Sequence, residues 1–308
     1  MQNYVSLVKS SDKGADIKRS LSETLDLIGF KPKASVSTVA VKVNLCYYWN
    51  ASTGFTTDLR LVEALIDHLR ETYGNDIEIK IVEADASAMQ TKYAFPLLGY
   101  TRLAERKKVK LFNLSEDVIE EREVQVNNCK ISFKVPRMLL QYDLFINVPK
   151  LKTMRETHIT CAMKNIFGCI AYPRKVTYHP FLEEAIVGIN KILKPHLNVV
   201  DGIVALGRFP VKLCLLMAGE DTFFIDWVAA QVMGYKPSKL KFLHLASKER
   251  LGNPKDITVV GERIENYKKV FPTPNNFVAR VKMGFQYSLL KTYSRISGDI
   301  IPPSIVDV

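Results

Sequence analysis

Thr38-Val-Ala-Val-Lys-Val-Asn-Leu45 alternates along its whole length, with Val39, Val41, Val43 and Leu45 on one face and Ala40, Lys42 and Asn44 on the other. A period of two is the signature of a β-strand, and the two polar residues fall at its carboxyl end. The polar loop Asn50-Ala-Ser-Thr-Gly-Phe-Thr-Thr57 follows. Leu59, Val62, Leu65, Ile66 and Leu69 then recur at helical spacing up to about Tyr73. Thr56 or Thr57 is placed to cap that helix. Strand followed by helix is the repeating unit of layered α/β folds.

The unit recurs outward from this stretch. Ile77 to Val82 reads as a second strand ending at Glu83-Ala-Asp85, and a helix near Phe95 to Lys107 leads to a third strand, Val109 to Leu114. Glu123 to Val126 and Lys130 to Val135 alternate on either side of Asn127-Asn128, which predicts an inserted β-hairpin with a tight turn at a lobe boundary. Leu144 to Val148 is a continuous apolar run of the fully buried kind, stopped by Pro149. A helix around Thr160 to Gly168, a loop rich in Tyr, Pro, Arg and Lys, and a helix from Pro180 to Leu193 come next.

Leu197 to Val200 and Lys212 to Met217 are further strands, each running into an acid, Asp201 and Asp221. Helices near Thr222 to Met233 and Ser238 to Leu251 and a strand at Asp256 to Val260 complete the pattern. The expectation is an α/β protein of two lobes, layered on mainly parallel sheets, with an inserted β-hairpin and a C-terminal helical tail. The divisions are 1–136 for the first lobe, 137–262 for a second lobe carrying the Lys/His segment, and 263–308 for a basic amphipathic tail. In that tail Phe277 to Ser297 holds Arg280, Lys282, Lys291 and Arg295 and no acid, as a docking helix, a partner site or a membrane-surface helix would.

A chain of 308 residues with 47% hydrophobic content builds a large core, which excludes global disorder. No apolar run is long enough to span a bilayer, and the first residues lack a signal-peptide pattern, so a cytoplasmic location is expected. The five cysteines are scattered without a Cys-x-x-Cys pair, which argues against a zinc or dithiol site. A net charge of +11 favours an anionic partner. Because the basic residues are spread along the chain, nucleic acid is only weakly indicated.

In open α/β sheets ligands bind beyond the carboxyl ends of the strands. Lys42, Asn44, Glu83, Asp85, Lys150, Lys152, Asp201 and Asp221 all fall at such ends. Lys150-Leu-Lys152 points two ammonium groups the same way if the chain stays extended, a local positive site for a carboxylate or phosphate. The helix Thr160-Cys-Ala-Met-Lys-Asn-Ile-Phe-Gly168 is apolar apart from Lys164 and Asn165, so its lysine either snorkels to water or sits in a pocket that lowers its pKa. His158 and His179 flank that helix and are candidates for proton transfer, His179 also for metal binding. Thr57 stands at a helix start whose free N–H groups suit an anion.

The string Phe145-Ile-Asn-Val-Pro-Lys-Leu-Lys-Thr153, with Thr160-Cys-Ala-Met-Lys-Asn-Ile-Phe-Gly168 and Asp201-Gly-Ile203, resembles the family known as domain of unknown function 362. Lys42-Val-Asn44 and Ala218-Gly-Glu-Asp-Thr-Phe-Phe-Ile-Asp226 extend the likeness over roughly residues 35 to 255. Many members of that family continue into a ferredoxin-like module, whose cluster-binding cysteines this sequence lacks. The resemblance therefore implies a separate iron–sulfur protein as partner. More distantly, the layout is similar to lactate racemases carrying a nickel-pincer nucleotide, where Lys164 matches the tethering lysine and His179 the nickel ligand. The upstream catalytic histidine of those enzymes falls near Met154, four residues before His158. Taken together, these readings imply an enzyme-like protein holding an organic anion or nucleotide-like cofactor between its lobes. The cofactor itself stays unknown. Lys42, Asn44, Thr57, Lys150, Lys152 and Asn165 would bind it, and Lys164, His179, His158 and Asp201 would act on the substrate. The other reading is a non-catalytic basic component that docks an iron–sulfur protein or nucleic acid through its tail.

Overall fold

The computed structural model describes residues 3–30, 35–45, 47–273 and 292. In chain order its elements are β1 (Asn3–Lys9), α1 (Gly14–Leu27), β2 (Thr38–Lys42), α2 (Leu59–Tyr73), β3 (Glu78–Glu83), α3 (Thr91–Leu97), α4 (Tyr100–Lys107) and β4 (Lys110–Asn113). The hairpin β5 (Ile119–Val126) and β6 (Cys129–Pro136) follows, then α5 (Met138–Gln141), β7 (Leu144–Asn147), β8 (Lys150–Met154), β9 (His158–Thr160) and α6 (Ala162–Phe167). The last third holds α7 (Leu182–Ile192), β10 (Leu197–Leu206), β11 (Pro210–Gly219), α8 (Thr222–Val232), α9 (Lys241–Lys248), β12 (Ile257–Gly261) and α10 (Ile264–Lys268).

Ten of these strands form one sheet in the order β12-β1-β11-β10-β7-β2-β3-β4, to which β8 joins beside β10 and carries β9. Most pairings are parallel, as the alternation of strand and helix predicts; β11 is antiparallel to both β1 and β10. β7 lies between β2 and β10, so the stretches 3–136 and 137–262 contribute to the same sheet. Every residue of β7 and β10 is buried, the behaviour of parallel strands covered on both faces.

The two faces have separate cores. Val39, Val41, Val43 and Leu45 pack with Leu21 of α1 and with Leu61 and Leu65 of α2. Ala40 faces the opposite side, with Ile166 of α6, Ile186 of α7 and Val228 of α8. The alternation read from the sequence thus directs Lys42 and Asn44 toward the α6 side.

The hairpin forms its own two-stranded sheet, turning at Asn127 with φ 52°. It packs on α7 so closely that a Cβ at Gly188 would lie 3.0 Å from both Phe133 and Val124 side chains, and any larger residue would push the hairpin away.

Several boundaries move for identifiable reasons. The single helix expected near Phe95 to Lys107 is two, parted at Gly99, which takes φ 83°. The cap of α2 is Asp58, whose carboxylate accepts from the Arg60 N–H, rather than Thr56 or Thr57. Pro149 does not end the strand region: the chain stays beside β10, exchanges β2 for β9 on its other side, and continues as β8. β10 runs on to Leu206, so Asp201 lies inside a strand rather than at its end. Pro180 stands in a 3-10 turn ahead of α7. The basic stretch Phe277 to Ser297 lies outside the described residues apart from Thr292. Among the described residues no helix is long and apolar enough to cross a membrane.

Candidate functional site

Parallel pairing of β2 with β3 brings Lys42 beside Glu83, with Nζ 2.6 Å from Oε1 and both side chains buried. The carboxylate of Glu83 also accepts from the backbone N–H of Leu45 at 2.8 Å and of Ala84 at 3.0 Å, so its charge is well compensated. Lys42 donates onward to the Val43 carbonyl at 2.7 Å and to Asn165 Oδ1 at 3.3 Å.

Asn165 belongs to a directed chain of amides. Lys152 donates to Asn44 Oδ1 at 2.7 Å, and Asn44 to Asn165 Oδ1 at 2.8 Å. Asn165 then donates to Asn147 Oδ1 at 2.8 Å, and Asn147 to Asn198 Oδ1 at 2.8 Å. Asn198 closes the chain on the carbonyls of Gly219 and Glu220, each at 3.1 Å. An ammonium can only donate and a carbonyl only accept, so the two ends dictate which way every amide points.

Lys150 and Lys152 do share a face of β8, as their spacing predicts, yet their surroundings differ. Lys150 Nζ lies 2.9 Å from Asp201 Oδ2, with both side chains 0% exposed. Asp201 also accepts from the backbone N–H of Asp58 at 2.6 Å and of Ile203 at 3.0 Å. Burial pushes its carboxyl above the ordinary 3.8, against the pull of the Lys150 ammonium. Lys152 instead reaches Asn44 and the carbonyl of Phe55 at 2.8 Å, above the Phe55 ring. Thr57 is buried beneath them, donating to the Val148 carbonyl at 2.9 Å and accepting from the Asn44 N–H at 2.9 Å. Its side chain therefore holds the β2 end to the β7 end.

A cavity of about 320 Å³ opens beyond the carboxyl ends of β2 and β3. Lys42, Lys152, Lys164, Lys175 and Arg155 line it, with Glu83 and Glu156 as the acids, and Ala84, Met89, Met154 and Phe167 give it apolar walls. Asn44, Asn165 and His179 also border it, whereas Lys150, Asp201, Thr57 and His158 do not. His158 is exposed, with φ 64°, and its ring lies 6.0 Å from that of Tyr235. His179 is exposed at the rim. Lys164 is half-buried, 3.5 Å from Thr157 Oγ1. Among the described residues no group of three His, Cys, Asp or Glu is placed to hold a metal ion. His179 is the one imidazole on the cavity border, and Glu83 is engaged by Lys42 and two backbone N–H groups.

Three contributors are not among the site residues expected from the sequence. Lys175, in the turn before α7, is buried at the cavity wall and donates to the Asp85 carbonyl. Burial lowers its ammonium from 10.5 to about 8. Asp226 of α8 accepts from the N–H groups of Ala162 at 2.6 Å and Met163 at 3.1 Å, fixing the start of α6; burial raises its carboxyl to about 7. Thr160 ends β9 at the cavity wall. An Asp four residues after the Thr222 helix start was the available signal for Asp226. Lys175 stood in a loop with no periodicity to reveal its burial.

Known proteins share parts of this chain. The thylakoid-associated protein sll1697 of Synechocystis sp. is 30% identical over 135 residues, which is 39% of this chain and 41% of that protein. The chain thus spans about two fifths of that curated relative. The lactate racemase apoprotein of Thermoanaerobacterium thermosaccharolyticum superposes with a TM-score of 0.41 at 13% identity, covering 71% of this chain and 54% of that one. The model of the domain of unknown function DUF362 matches residues 39–231, which take in every lysine and asparagine of the network above, and the chain belongs to that family.

Proposed function

We propose that this protein binds a small organic anion, a carboxylate or phosphate with a compact apolar part, in the cavity beyond β2 and β3. One observation carries the reading: lysines from β8, α6 and the turn before α7 converge on a single apolar-walled space, beside the Lys42–Glu83 pair. Its 320 Å³ sits at the small end of ligand pockets, which suits a compact ligand rather than a dinucleotide. Ammonium groups at partly buried, apolar walls attract an oxyanion more strongly than fully exposed ones do. Lys164 and Lys175 would meet the ligand from α6 and from the turn, and the rim imidazole of His179 would be within the same space.

The reading is enzyme-like, because an amine held near 8 exchanges protons readily at neutral pH and can serve as a base. Lys175 takes that role ahead of Lys164, and Asp201, sealed beside Lys150, takes a structural one. Calorimetric titration of the full chain with benzoate and with phenyl phosphate tests the reading. Saturable heat with at least one of them is expected, with affinity reduced about tenfold in Lys164→Ala and Lys175→Ala, the loss of a charged hydrogen bond. No saturable uptake of either anion would refute it.

A further inference from the structure

We infer that the Thr160 hydroxyl is a ligand-binding group of this cavity and acts with Lys152 as a two-point clamp on the anion's oxygens. The inference rests on the anion-binding reading above and names the residue that would give it orientation. Thr160 is 4% exposed, borders the cavity, and its Oγ1 has no hydrogen-bond partner among the described residues. The other buried threonines nearby behave differently. Thr57 donates to the Val148 carbonyl, Thr157 to the Ile159 carbonyl at 2.8 Å, and Thr222 to Asn190 Oδ1 at 2.9 Å. A buried hydroxyl left unsatisfied is costly and is retained where something from outside completes it.

The ladder says what that something is. β8 and β9 are antiparallel with Lys152 directly opposite Thr160, so their side chains leave the same face about 5 Å apart at Cβ. A hydroxyl donor beside an ammonium matches two oxygens of one carboxylate or phosphate. Lys152 is steered toward this position by Asn44, itself held by Asn165, so the clamp stands on a rigid base. A ligand whose charged head is a sulfur- or nitrogen-centred cation, or which lacks an acceptor oxygen, would not satisfy both groups.

The test compares the parent chain with Thr160→Val and Thr160→Ser by calorimetry, using phenyl phosphate in one arm and benzoate in the other. Valine has nearly the same shape but no hydroxyl, and its β-branch suits the strand. For whichever anion the parent binds, Thr160→Val should weaken affinity about tenfold, the ratio set by one charge-assisted hydrogen bond, while Thr160→Ser stays near the parent. The unliganded Thr160→Val protein should melt no lower than the parent, because no internal hydrogen bond is lost. Equal affinity in Thr160→Val, or a markedly lower melting temperature without ligand, would overturn the assignment and leave the anion site standing. A parent that binds neither anion overturns both.

Discussion

The interior behind Lys150 and the cavity in front of Lys152 lie two residues apart on one strand, yet they treat an ammonium in opposite ways. Behind Lys150 the chain supplies a carboxylate, two backbone donors to that carboxylate, and complete exclusion of water. In front of Lys152 an amide oxygen, a carbonyl and an aromatic face meet the ammonium at the wall of the cavity. A charge answered by a fixed opposite charge has no capacity left for a ligand. The two lysines of Lys-Leu-Lys thus stand in different surroundings, one sealed against a carboxylate and one at a cavity wall, a distinction made by what lies across the sheet.

Cutting the Lys150 side should have the largest effect. Asp201→Ala leaves an ammonium buried without its partner and should lower unfolding free energy by about 3–5 kcal/mol, measured by urea denaturation. Pairing it with Lys150→Met should recover much of that loss. Removing Lys152 should instead strike binding: Lys152→Met is expected to reduce anion affinity tenfold or more in titration, with a smaller loss of stability than Asp201→Ala. Should the two variants unfold alike, the contrast between the two environments fails.

The smallest effect concerns pH, through Lys175. Its folded pKa, about 8, is below its ordinary 10.5, so the folded chain releases this proton before the unfolded chain does. The penalty for burying the charge is present in full below about 8 and fades as pH rises toward 10.5, where stability recovers. Anion affinity should move the other way, falling a few-fold as pH passes through about 8 and the ammonium is lost. Lys175→Met should flatten both trends, followed by melting temperature and titration across that range.

Much of the architecture was legible because periodicity is local. Val39 to Leu45 told strand and face together, and Asn127-Asn128 told the hairpin turn. The first strand and helix, Asn3–Lys9 and Gly14–Leu27, went unread. β1 draws its place from β11 and β12, more than two hundred residues on, and nothing in its own seven residues announces that pairing. Of the site, Lys42, Asn44, Lys152, Lys164, Asn165 and His179 were named from strand ends and from the helix between them, and the structure brings them to one cavity. Lys150 and Asp201 were named as well, but as cavity groups. What sealed them was the register that sets Asp201 against Lys150, and register is invisible in a single strand. Thr160 and Lys175 were missed for the same reason, since a hydroxyl without a partner and a lysine without water are facts about neighbours.

The four asparagines have a consequence beyond holding Lys152. Since each gives its N–H to the next oxygen, turning any one of them around would set nitrogen against nitrogen on one side and oxygen against oxygen on the other. They can only reverse together, and the ammonium at one end with the carbonyls at the other forbids that reversal. Side chains from α6, β7, β10 and the segment just beyond β2 are thereby locked like the tumblers of a single bolt. An aspartate at any of the four places would supply no donor and would jam the mechanism at that point.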